Sequence, residues 1–67
     1  MSTFTAVIFR EGNLFVAECK ELGTVSQGKT AEEALANLKE ATELYMEEFP
    51  EKKPQQTLIT TFTMAHA

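Results

Sequence analysis

The first twenty residues alternate with the period of a strand, and the middle of the chain repeats with the period of a helix. "TFTAVIFR", Thr3 to Arg10, is rich in β-branched and aromatic residues, the types that favour strands. Its apolar positions fall on both alternating faces, with Phe4, Ala6 and Ile8 on one and Val7 and Phe9 on the other. A strand apolar on both sides is ordinarily covered on both, so this segment is expected at the centre of its sheet. "EGN", Glu11 to Asn13, is a turn, because Gly12 and Asn13 both tolerate the positive φ of tight hairpins. "LFVAEC", Leu14 to Cys19, is the returning strand. Its uncharged side, Phe15, Ala17 and Cys19, is expected to face the core, and Leu14, Val16 and Glu18 to face outward. A turn of two residues and one of three give opposite pairings of faces with the first strand, and both stay open. Lys20 to Gly23 connects to a short third strand, Thr24 to Gly28.

Thr30 stands three residues before Glu33, the spacing of a capping box. Pro50 marks the far end, because a residue preceding proline avoids the helical region. A helix is therefore predicted over 31–49, about 28 Å long at ~1.5 Å per residue. Ala31, Ala34, Leu35, Leu38, Ala41, Tyr45 and Phe49 form one stripe with Thr42 inside it, and Glu32, Glu33, Lys39, Glu40, Glu43 and Glu47 form the opposite face. Leu44 falls off the stripe and is expected to be exposed. "PEKKPQQ", Pro50 to Gln56, reads as a loop. "TLITTFTM", Thr57 to Met64, alternates and reads as a fourth strand, with Leu58, Phe62 and Met64 on one side.

The expected fold is a single α+β domain over residues 1–67, of order β-β-β-α-β. A right-handed helical crossover would lay the fourth strand parallel to the first, giving a four-stranded mixed sheet of order 3-2-1-4. One long helix covers one face of such a sheet. The other keeps its apolar side chains in the open, which implies an interface.

Composition sharpens that implication. A 67-residue chain supports only about 3–5 kcal/mol from a single core. Cys19 is the only cysteine, which rules out an internal disulfide, and His66 is the only histidine. Association is the remaining remedy, so a homo-oligomer, dimer or tetramer, is expected. No apolar run approaches the ~20 residues of a membrane span. The first residues lack the basic start and small-residue cleavage site of a secretion signal. The cytoplasm is the expected location, and a lone thiol suits it. Net charge is −4 and all ten acids are glutamate, a poor match for nucleic-acid phosphates and a better one for a basic protein. The plain alternative is that modest negative charge serves solubility.

Catalytic arrangements are not found. Gly12, Gly23 and Gly28 are too widely spaced for a phosphate loop, and Ser2 and Ser26 have no histidine–acid partners. Cys19 reads as a small core residue. Glu18 and Glu21 do not make the convergent carboxylate set of a metal nuclease, since the first strand offers none. No enzyme, cofactor or metal is expected.

"VAECKELGTVSQGKTAEEALANLKEATELYMEE", Val16 to Glu48, resembles the HicB-like antitoxin family. The likeness runs through Phe15 to Glu18, Glu21 to Gly23, Val25 to Gly28, and Thr30, then Glu33 to Leu35, Asn37 and Leu38. Its most specific part is G-x-T-x-x-E-A-L, Gly28 to Leu35, which also has a mechanical reading as a helix cap. The family's proline before Gly23 is missing, and Thr24 replaces its usual cysteine. The resemblance implies a partial ribonuclease-H-like fold without catalytic carboxylates. It also implies a partner, a small basic RNA-cleaving toxin that the antitoxin blocks. Many members append a DNA-binding module for which these 67 residues have no room, so direct nucleic-acid binding is not expected. The residues expected to contact a partner or a second copy are Leu14, Val16 and Glu18 on the sheet, and Glu40, Glu43, Leu44 and Glu47 on the helix. An orphan of the same fold, self-associating without a toxin, is the alternative.

Overall fold

The computed structural model describes residues 3–51 and 53–66. Strands β1 (Ala6–Glu11), β2 (Leu14–Cys19) and β3 (Val25–Gly28) form an antiparallel meander, and one helix, α1 (Ala31–Glu48), follows. The β1–β2 turn has two residues: Glu11 pairs with Leu14, and the register runs unbroken to Ala6 opposite Cys19. Gly12 has φ 63°, whereas Asn13 is not in the left-handed region. Positive φ at the first central position alone is the requirement of a II′ turn, which glycine meets without a Cβ clash.

That register settles the faces. Ala6, Ile8 and Arg10 lie opposite Cys19, Ala17 and Phe15, so they share the helix side of the sheet. Val7, Phe9, Leu14, Val16, Glu18 and Val25 share the other side. The core lies between sheet and helix. Ala17, Cys19, Ala34 and Leu38 are buried, with Phe4, Phe15 and Leu22 packed around them. The second strand therefore presents its uncharged side inward, as its alternation predicts.

Helix α1 begins where its sequence says. Thr30 is extended, and its hydroxyl accepts from the Glu33 amide at 3.0 Å. Glu33 reaches back to the Lys29 amide at 3.4 Å, one residue earlier than a capping box would place it. Gly28 allows this entry by its size: a Cβ there would lie 2.6 Å from the Ala34 nitrogen. Thr42, the polar interruption of the apolar stripe, is buried and shares a 2.8 Å hydrogen bond with the Thr24 hydroxyl. Phe49 departs from expectation. It is the C-cap, is exposed, and stacks on Tyr45 with ring centroids 5.0 Å apart instead of meeting the sheet.

The larger correction concerns the sheet. It has three strands in order β1-β2-β3, wholly antiparallel, and not four in order 3-2-1-4. β1 is consequently an edge strand with all six residues exposed, not a central one. Among the described residues no strand follows the helix. After Pro50 the chain passes the β2–β3 connection, where the Gln55 amide donates to the Glu21 carbonyl at 3.2 Å. Residues 57–64 have strand-forming side chains but no ladder. A strand exists only where its backbone groups find a partner. Leu58 and Phe62 are 87% and 82% exposed.

Candidate binding surface

Three surfaces stand out on this frame. The first is the sheet face turned away from α1. Val7, Phe9 and Val25 are exposed there beside half-exposed Leu14 and Val16. Alternation puts them on this face, and among the described residues no second layer covers it. Glu18 lies in the same layer and pairs with Lys20 at 3.1 Å, both side chains well exposed, so the pair adds little stability.

The second is the free edge of β1. The Lys20 amide donates to the Thr5 carbonyl at 3.0 Å, so Thr5 turns its main chain toward β2. In an antiparallel pair, inward and outward residues alternate. The N–H and C=O groups of Ala6, Ile8 and Arg10 therefore point out of the sheet. The same alternation sends the outer groups of β2 to β3, in agreement with the Cys19 amide bonding the Thr24 carbonyl at 2.8 Å. The opposite edge of the sheet is shorter, and Asn37 partly closes it by donating to the Gln27 carbonyl at 2.8 Å. Beside the start of β1 lies a cleft of about 290 Å³, lined by Phe4, Thr5, Ala6, Leu35 and Leu38 together with Lys39, Thr42 and Glu43.

The third surface is the outer side of α1, a helix that carries six glutamates against one lysine. Glu32 and Glu33 in the first turn suit the helix dipole, whereas Glu47 and Glu48 oppose it in a last turn that has no basic residue.

One carboxylate fixes the geometry of the edge. Glu21 is buried in the β2–β3 connection and accepts the Thr5 amide at 2.6 Å. The Cys19 thiol lies 3.7 Å from the same oxygen. The Thr5 amide, with help from the Thr5 and Thr57 hydroxyls, lowers the Glu21 pKa to about 2. Glu21 thus ties the start of β1, its own connection and the departing tail to one point.

The residues expected to form an interface divide between surfaces. Leu14, Val16 and Glu18 come together on the open sheet face, while Glu40, Glu43, Leu44 and Glu47 ride on a helix packed against the opposite face. All four helix residues are exposed, with Leu44 at 57%. Val7, Phe9 and Val25 were absent from that expectation. The Gly12–Asn13 turn carried a signal for the first two, since a two-residue hairpin puts them beside Leu14 and Val16. Nothing in the sequence marks Glu21.

Among the described residues, no group of three or more His, Cys, Asp or Glu could hold a metal ion, and no helix is long and apolar enough to cross a membrane. Every buried side-chain nitrogen or oxygen described has a hydrogen-bond partner. No family model, no curated protein and no solved structure matches the chain.

Proposed function

We propose that this chain is a non-enzymatic binding module of the HicB-like antitoxin type, acting in the cytoplasm, that masks a small basic RNA-cleaving protein by occlusion. The observation that carries this reading is the outer side of α1: the helix holds a net charge of −5, and its last turn has acids where helix stability would favour bases. Such a field raises the encounter rate of a basic partner and orients it. The Gly28–Leu35 motif supports it less, because Gly28, Thr30 and Ala34 each have a mechanical task at the start of the helix.

The test is rescue of growth in cells producing the basic product of a neighbouring gene. The wild-type chain relieves the arrest, and a Glu40→Lys, Glu43→Lys, Glu47→Lys triple variant binds that product at least ~10-fold more weakly. Failure of the wild type to relieve the arrest, or full rescue by the triple variant, overturns the reading. A second reading, self-association without a toxin, is favoured by a separate observation: β1 exposes all six residues beside an uncovered apolar sheet face.

A further inference from the structure

The self-association reading says that copies of the chain meet; the β1 edge and the tail together say how. β1 is an open template. Among the described residues no strand lies beside its outward groups at Ala6, Ile8 and Arg10, and the segment has no proline, lysine or bulge, its charges, Arg10 and Glu11, standing only at the turn end. At its first residue opens the mainly apolar cleft lined by Phe4, Ala6, Leu35 and Leu38. At the other end of the chain, residues 57–64 have the complementary need. They are strand-forming and pair with no strand among the described residues, and Leu58, Phe62 and Met64 fall on one side of an alternating segment, all strongly exposed.

We infer that residues 57–64 of one copy add as a strand to the free edge of β1 in a second copy, with Leu58, Phe62 and Met64 filling the cleft between β1 and α1. This rests on the self-association reading and specifies its contact. The occupant is a second copy because Leu58, Phe62 and Met64, 87%, 82% and 68% exposed, pair with no strand of their own chain among the described residues, while the Gln55–Glu21 bond fixes where the tail leaves the body. Exchange is reciprocal across a two-fold axis, so each copy gives one tail and receives one. Ile59 and the alternate threonines then extend the open sheet face beside Val7 and Phe9.

The experiment uses two variants of the full chain. Leu58→Asp with Phe62→Asp spoils the donated strand at positions that are 87% and 82% exposed in the single copy. Ile8→Pro removes an outward N–H of the edge and spares the inward bonds to β2, a placement that edge strands tolerate. Dimerisation is read by sedimentation equilibrium, and folding by circular dichroism and amide exchange of α1. The wild type is expected to be a dimer, each variant to dissociate at least ~100-fold more readily, and an equimolar mixture of the two to form a heterodimer through the one exchange still possible. If the folded tail variant dimerises like wild type, strand exchange is overturned while self-association stands. If the Ile8→Pro chain fails to fold, the tail variant alone decides the matter. A monomeric wild type at several hundred micromolar overturns both, and protection of the tail amides in that monomer assigns the β1 edge to the chain's own tail.

Discussion

Gly28→Ala isolates the contact that seats the helix on the sheet. An added Cβ would meet backbone: the Ala34 nitrogen at 2.6 Å and the Glu33 carbonyl carbon at 2.9 Å, with the Glu33 Cβ also at 2.9 Å. Backbone at the start of a capped helix has little room to retreat, because Thr30 already holds the first turn. Two effects oppose each other. Alanine stiffens the unfolded chain, which stabilises by ~0.4–1 kcal/mol where the native conformation allows it. Overpacking of a fitted contact costs ~1–3 kcal/mol. The clash exceeds the entropy gain, leaving a net loss of about 1–2 kcal/mol. A domain of this size holds only ~3–5 kcal/mol, so the loss is a large fraction of its stability. Each kcal/mol lowers Tm by ~4–8 °C in a domain of 60–100 residues, so the midpoint should fall by about 5–15 °C. Thermal and urea unfolding followed at 222 nm measure it, with an unchanged urea slope showing that stability alone has moved. A Gly28→Ala protein as stable as wild type would show that α1 does not lie against the end of β3, and the seating of the whole helix would have to be redrawn.

The cap is testable next door: Thr30→Ala should lose about 1 kcal/mol in urea unfolding, and Thr30→Ser should lose much less, since serine restores the acceptor for the Glu33 amide. Glu21 makes acid stability a readout of the tie between β1 and its neighbours. Its pKa is lowered from 4.5 to about 2 by the Thr5 amide, so the folded state binds fewer protons than the unfolded one between those values. Its contribution is complete above pH 4.5 and is lost as pH falls toward 2. Urea midpoints at pH 7 and pH 3 should therefore converge in Glu21→Gln relative to wild type, and an unaltered pH dependence would refute the assignment.

The helix and the β1–β2 hairpin were legible because their determinants are local. Thr30, Glu33 and Pro50 bracket α1, whose start at Ala31 and end at Glu48 fall within a residue of the predicted span. The period of two placed Ala17 and Cys19 in the core and Glu18 outside it. The site was legible only in part. Leu14 and Val16 lie on an open face, but Val7 and Phe9 joined them only once the turn length fixed the register. Gly28 read as the close of a strand, whereas its task is to let a helix backbone approach, which depends on the path of the chain six residues later. The first strand misled for a different reason. Apolar residues on both of its sides imply cover on both, but side-chain character reports what a strand favours and not what lies beside it.

The order of residues by itself determined the hairpin, the capped helix and the inward face of β2, since turn chemistry, capping and periodicity act over a few neighbouring positions. The tertiary structure alone decided that β1 is an edge, that Glu21 ties its start to the β2–β3 connection, and that Leu58, Ile59, Phe62 and Met64 stay exposed. Pairing a strand brings distant backbone groups together at a cost in chain entropy, and no local pattern states whether that cost is met within the chain.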